Sequence, residues 1–410
     1  MSYSKEIRSQ PTEIQRDLLH YIPEIETITT PQFTIATDHF ARPITNAQLL
    51  KRMQEAGTSE TELTQAQQII ENTGFSKRFT SLFLEQTQSF KNVTNRSAMI
   101  GAILLNRALK ARDWNGVDVV INTSSYLPTI VGSKMLERVG ISPTSVEQKS
   151  YRYACAGFAG ALIDALHAYQ GKNVRIAIVG LEPLSYLLDK RLYTPQHIAS
   201  PAIFGDNYGV FLFNPRDFRL EHAKIIVKDD GGVIRLKTGY RFNTKIHHAD
   251  TVPPYYEVDR HNRNIFRYSE NGAFLNIRQP ESDLRTEMDG LGTGLFFGNE
   301  TSQLIGQLLQ ESGHPQFLFT DEVNVVTHQP SEPVQNNIGK KLRRAGFAPT
   351  NDALPFRMQE FGEPNSSSMT TMSVLYHMLK GHEFDPRHPT LLVAPGIGAV
   401  IAGAIVKFSA

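Results

Sequence analysis

From about residue 32 onward, short apolar runs of strand length alternate with longer amphipathic stretches. VDVVINT (Val117–Thr123), VRIAIVG (Val174–Gly180), EVNVVTH (Glu322–His328) and TLLVAPG (Thr390–Gly396) are short runs built around β-branched and other aliphatic residues. Such runs predict strands covered on both faces, the pattern of a parallel sheet in an α/β protein. The first and third run each precede a predicted helix, over 128–141 and 332–347. Both helices carry a proline near the start and a glycine at the end, which is the usual punctuation of helix termini. Helices predicted over 154–172 and 365–381 then lead into the second and fourth run. Strand, helix, helix, strand thus occurs twice with about the same spacing. Any α/β protein repeats such units, but the matched punctuation favours an internal duplication. The expected organisation is an extension over 1–31, a first half over 32–215 and a second half over 216–410.

The run Leu391–Val406 is the longest apolar stretch, yet it contains Pro395 and three glycines. It falls short of the roughly 20 residues that span a bilayer, so it reads as two buried strands around a glycine turn.

Bulk properties narrow the function classes. The chain has 410 residues, 40% apolar and 20% charged, enough for one large domain or two fused halves. A formal net charge of +1 gives no global field for nucleic acid or an anionic membrane. A single cysteine excludes an internal disulfide. The first 26 residues are polar and lack the apolar core of a secretion signal, so a cytoplasmic location is expected.

In open α/β sheets, ligands bind outside the carboxyl ends of the strands. Thr123, Cys155, His328, Asn365 and Gly396 all fall at predicted strand ends or helix starts. Cys155 opens a helix, a position that favours the thiolate, and small residues follow it. A lone cysteine is also commonly inert and buried. His328 ends a strand and can serve as a base or, when neutral, as a hydrogen-bond donor. Asn365 is placed to cap a helix or to donate its amide to a carbonyl. The turn PGIG (Pro395–Gly398) and the Cys155 amide can offer backbone N–H groups to an oxyanion. The cluster His247, His248 and Asp250 lacks a separate third ligand group and reads as a solvated loop, so no metal or other cofactor is expected.

At these residues the chain resembles the β-ketoacyl-ACP synthase III family of condensing enzymes within the thiolase superfamily. The likeness runs from about Gln32 to Phe408. It rests on PITNAQLL (Pro43–Leu50), NTGFSKRF (Asn72–Phe79), ACAGF (Ala154–Phe158), FGDNYG (Phe204–Gly209), THQ (Thr327–Gln329), PNSSS (Pro364–Ser368) and the glycine-rich end from Ala394. The resemblance implies a thiolase-like, five-layered α/β/α/β/α fold from two duplicated halves, and a homodimer. It implies that Cys155 accepts an acyl group from an acyl carrier protein or coenzyme A thioester. His328 and Asn365 would bind the thioester carbonyl of an extender and stabilise its enolate. The Cys155 amide and the turn at Ile397 and Gly398 would hold the oxyanion of acyl transfer.

Several positions depart from the family. Gln68 and Asn72 stand where many relatives carry the Trp and Arg that clamp coenzyme A. The run after His328 lacks the family's usual Asn and basic residue, and Ile397 replaces a glycine. The stretch over about 216–320 matches poorly and is expected to build part of a substrate tunnel. Lys340, Lys341 and Arg344 form a basic patch that reads equally as a solvated helix face or as a docking surface for an acidic carrier protein. These departures point toward specialised polyketide or fatty-acid-derived metabolism. The competing readings are acyl transfer to oxygen or nitrogen without decarboxylation, and a non-catalytic partner subunit in a condensing heterodimer.

Overall fold

In a computed structural model, residues 25–38, 41–81, 90–125, 127–151, 154–187, 198–227, 290–320, 322–350, 354–396 and 400–409 are described, with five short strands between 234 and 275. The first sheet draws on β1 (Glu26–Thr29) and β2 (Phe33–Asp38). A ribbon of β3 (Ala41–Thr45) and β4 (Lys77–Ser81) stands apart from it. The sheet resumes with β5 (Val119–Asn122), β6 (Glu147–Ser150), β7 (Ile176–Glu182) and β8 (Asn207–Phe213). Its spatial order is β1-β2-β8-β7-β5-β6. After β9 (Phe218–Val227) come the short strands β10 (Ile234–Arg235), β11 (Arg241–Lys245), β12 (Tyr255–Asp259), β13 (Arg267–Tyr268) and β14 (Phe274–Leu275). Then follow β15 (Asn324–Thr327), β16 (Thr390–Gly396) and β17 (Val400–Phe408), and the second sheet runs β15-β16-β17-β9.

The two sheets share a plan. In the first, β5 and β7 are parallel neighbours and β8 then β2 continue antiparallel. In the second, β15 and β16 are parallel and β17 then β9 continue antiparallel. β7 and β16 are buried along their whole length, which is why their sequences do not alternate. β1 lies within the stretch expected to be an extension. Its four residues, ETIT, carry one aliphatic side chain and only partial burial, too weak a pattern to announce a strand. Among the described residues β6 pairs with β5 alone, on one edge.

Helices α1 (Asn46–Glu55) and α2 (Glu60–Asn72) begin at capping boxes built by Thr45 with Gln48 and Ser59 with Glu62. α3 (Phe90–Ala111) and α4 (Ile130–Val139) pack together, and α3 covers the outer face of the first sheet. α5 (Gly157–Tyr169) lies between the sheets, touching β7 on one side and β9, β16 and β17 on the other. α6 (Gly290–Glu311) covers the outer face of the second sheet with α7 (Glu332–Arg344) against it. α8 (Thr370–Lys380) shares the middle layer with α5. The result is helix, sheet, helix, sheet, helix. One continuous apolar core runs through these layers. Phe33, Phe211, Phe213, Phe218 and Phe408 pack ring to ring where the two sheets meet, with centroids 5.0–6.3 Å apart. No helix among the described residues is long and apolar enough to cross a membrane.

Candidate functional site

Three chain segments meet near the starts of the two middle-layer helices: the turn before α5, the end of β15 and the turn before α8. Cys155 lies in a single tight turn, Ala154–Ala156, directly ahead of α5, and is 1% exposed. Ala154 has φ 45°, a left-handed conformation that costs a non-glycine residue energy. The Cys155 turn packs against β16 and against a second turn, Ser367–Met369, where Ser367 has φ 51°. Non-glycine strain thus occurs beside both candidate residues that sit on turns. At Gly157 a Cβ would lie 2.8 Å from the Ser368 Cβ and 3.0 Å from the Thr123 carbonyl oxygen. Only glycine lets α5 start this close to the serine turn.

His328 follows β15, its amide donating 2.8 Å to the carbonyl of Val393 on β16. It is 1% exposed, and neither ring nitrogen has a hydrogen-bond partner among the described residues. Phe297 of α6 meets the ring edge-on at 6.5 Å. Burial pushes the imidazole pKa down to about 3, so it is neutral at working pH.

Asn365 does not cap α8; the cap position is Met369. Its backbone pairs with Ile203 and Gly205 at 3.0 and 3.2 Å, beside the FGDNYG segment. Its side-chain oxygen accepts from the Ser367 amide at 2.9 Å and the Thr370 hydroxyl at 3.2 Å. Its Nδ2 donates 3.2 Å to the carbonyl of Pro330, two residues beyond His328. These contacts fix which way the amide faces, and its second hydrogen has no acceptor among the described residues. Cys155, His328 and Asn365 therefore stand on neighbouring segments.

The other segments quoted from the sequence also touch. Buried Arg78 donates to the carbonyl of Ala202 at 2.7 Å and to Asn46 at 2.6 Å, joining β4 to the start of α1. Asp206 takes the Ser185 amide and hydroxyl at 2.6 and 2.7 Å. Gln68 and Asn72 lie one turn apart on an exposed face of α2. Lys340, Lys341 and Arg344 lie at the end of α7, with Lys341 only half-exposed. Ile397, Gly398, His247, His248 and Asp250 lie outside the described residues, and among the described residues no group of side chains could hold a metal ion.

Glu182 escaped the sequence reading. It ends β7, is fully buried, and its pKa is raised to about 7 by burial, against the opposing hydrogen bonds from Ser125 and Ser368. The available sign was an acid closing an otherwise wholly apolar run.

The two buried groups contribute opposing slopes to the pH dependence of stability. Folded Glu182 keeps a proton that the unfolded chain releases above about 4.5, so stability falls as pH rises from there to about 7. Folded His328 refuses a proton that the unfolded chain takes below about 6.5, so stability falls as pH drops from there to about 3. Between 4.5 and 6.5 the two one-proton slopes oppose and cancel. Urea denaturation of Glu182→Gln should therefore show a new upward slope in that window, about 1.4 kcal/mol per pH unit. A slope unchanged from wild type would contradict this assignment.

No family sequence model matches the chain, and no curated protein matches it by sequence. Solved structures do. 3-Oxoacyl-(acyl carrier protein) synthase III from Pseudomonas aeruginosa PAO1 is 15% identical, with 92% of this chain and 97% of that chain covered at TM-score 0.61. 1,3,6,8-Tetrahydroxynaphthalene synthase from Streptomyces coelicolor A3(2), a bacterial type III polyketide synthase, is 14% identical, with 92% and 98% covered at TM-score 0.64. The C-terminal type III polyketide synthase domain of Steely1 from Dictyostelium is 14% identical, with 92% and 98% covered at TM-score 0.62. The chain has the thiolase-like α/β fold that these condensing enzymes share.

Proposed function

We propose that the chain is an acyltransferase of the ketosynthase type that carries an acyl group on Cys155 and joins it to a malonyl or β-ketoacyl thioester. The observation that carries this reading is the state of His328: a buried, neutral imidazole with both nitrogens unpartnered among the described residues. Leaving such a group unsatisfied costs about 1–3 kcal/mol, so a bound ligand is the natural partner. The free hydrogen of Asn365 is held by the same loop system.

The chemistry follows. The Cys155 thiolate attacks the carbonyl of an acyl thioester and expels the donor thiol. The Cys155 amide and the 397–398 turn hold the oxyanion of that step. His328 and Asn365 then donate hydrogen bonds to the thioester oxygen of the extender. As its C–C bond breaks and CO2 leaves, that oxygen takes up the enolate charge. The enolate carbon attacks the acyl-enzyme carbonyl, and the Cys155 thiolate leaves with the β-ketoacyl thioester formed. A neutral imidazole suits this role because it donates without neutralising the enolate.

Without an aromatic–arginine clamp at Gln68 and Asn72, we assign the acyl donor to a carrier protein, docked at Lys340, Lys341 and Arg344. The location is cytoplasmic and the pathway is specialised polyketide or fatty-acid-derived metabolism. The two halves, 32–215 and 216–410, each contribute one sheet to the site. The second edge of β6, unpaired among the described residues, supports a homodimer in which that strand pairs with its copy. Light scattering should give about twice the 46.0 kDa of one chain. A monomer at micromolar concentration would overturn that part.

The test of function is mass spectrometry of the whole protein after incubation with acyl-carrier-protein and acyl-CoA donors, then with malonyl donors. An adduct on Cys155 that a malonyl donor discharges with CO2 release is expected. An adduct that persists would overturn condensation and point to transfer to oxygen or nitrogen. No adduct from any donor would point to a non-catalytic partner subunit.

A further inference from the structure

The mechanism above uses no residue of the first half beyond the Cys155 turn, yet the most deeply buried carboxyl of the described chain lies at the end of β7 in that half. Glu182 Oε1 accepts the Ser125 amide at 3.1 Å, the Ser125 hydroxyl at 2.6 Å, the Ser368 amide at 3.3 Å and the Ser368 hydroxyl at 2.5 Å. One oxygen therefore gathers donors from two turns that lie 243 residues apart in sequence, Ser125 and Ser368 (368 less 125). The hydroxyls of Ser125 and Ser367 are themselves 2.7 Å apart, and the Thr123 hydroxyl reaches Ser368 at 3.3 Å. Ser367 and Ser368 belong to the turn whose other end is Asn365.

We propose that Glu182 is a positioning residue that fixes the Asn365 turn, and so aims the Asn365 amide at the extender carbonyl, by clamping Ser368 from the opposite half. This deepens the condensing-enzyme reading and rests on it. A fully buried carboxyl is a costly fastening, since two apolar residues would join the halves without the desolvation penalty. What a carboxyl adds is direction: two short hydroxyl donors and two longer amide donors converging on one atom restrict the placement of the turn. The Asn365 backbone is held to the first half at Ile203 and Gly205, but among the described residues its side chain bonds only its own turn and Pro330, so the aim of the amide depends on where Ser367 and Thr370 are held.

Oε1 takes four donor contacts and Oε2 shares the Ser125 amide at 3.2 Å, so glutamine with its carbonyl at the Oε1 position keeps the clamp and gives up only that shared contact, while alanine loses all of them. The expectation is a split between partial reactions. Glu182→Ala should lower kcat for malonyl-thioester decarboxylation about 100-fold, the scale of a 1 Å misplacement. It should change Cys155 acylation by less than about 3-fold, because that step does not use Asn365. Glu182→Gln should restore decarboxylation to within about 5-fold of wild type, which a role in stability alone does not predict. Ser368→Ala, which deletes one donor and leaves no buried charge uncompensated, should fall between, and it serves if the alanine variant at 182 does not fold. Crystal structures of Glu182→Gln and Ser368→Ala test the clamp with no substrate at all: Asn365 should stay in place in the first and shift in the second. An unmoved Asn365 in Ser368→Ala, or equal loss of both partial reactions in Glu182→Ala, overturns the proposal. Wild-type protein that forms no adduct sinks the condensing-enzyme reading instead, and the crystal structures still decide the clamp.

Discussion

Cys155→Ser should take up no acyl group from any thioester and should lose condensation by about 10^4-fold or more, the scale seen when a covalent nucleophile is removed. The sulfur is the only thiol in the chain, so no neighbour can substitute for it. A serine hydroxyl at the same place is far weaker as a nucleophile, because at neutral pH almost none of it is ionised. His328 makes no hydrogen bond among the described residues and so does not serve as its base there. The exchange is nearly isosteric, so the fold should survive with a cost of about 1–3 kcal/mol for burying a hydroxyl. Intact-mass measurement after exposure to acyl donors reads the adduct directly. A serine variant that still condenses at a tenth of the wild-type rate would mean that acyl transfer bypasses residue 155.

His328→Leu should lose malonyl-thioester decarboxylation by about 10^2–10^3-fold, the usual effect of deleting one donor from a charge-stabilising site. It should not lose stability. The imidazole is buried with two unsatisfied nitrogens, and an apolar side chain of similar volume removes that cost while keeping contact with Phe297. Chemical denaturation at pH 7 should show the leucine variant at least as stable as wild type, a trade of activity against stability. The pH profile gives a second reading. With a pKa near 3 the ring is neutral from pH 5 to 8, so His328 should add no limb to the decarboxylation profile in that range. A strongly destabilised leucine variant, or a limb near pH 6.5 that disappears with it, would contradict the neutral-donor role.

The strands were legible because burial on both faces leaves no alternation to hide them: β7 and β16 read as apolar runs and are buried throughout. The duplicated plan was legible from helix punctuation, since proline and glycine act locally on the backbone. β1 was not, because its pairing with β2 is decided by a neighbour remote from its own four residues. For the candidate site, the places of Cys155 ahead of a helix and His328 after a strand were legible, and the structure sets them and Asn365 on neighbouring segments. The role of Asn365 as an ordinary helix cap was not upheld: the α8 cap is Met369, and the asparagine oxygen serves its own turn. Glu182 stayed hidden because its partners, Ser125 and Ser368, are supplied by chain folding and leave no local pattern.

The same long reach has a consequence for how the protein matures. The serine turn is tied to residues 162 to 245 positions earlier, at Ile203, Glu182 and Thr123. Closing loops of that size is slow, and such contacts form only after each sheet has condensed on its own helices. By that tendency the contacts around the serine turn should be among the last to form. A partly folded chain would then hold Cys155 before the serine turn is tied beside it, so an acyl adduct on Cys155, if it forms, should track the completion of folding.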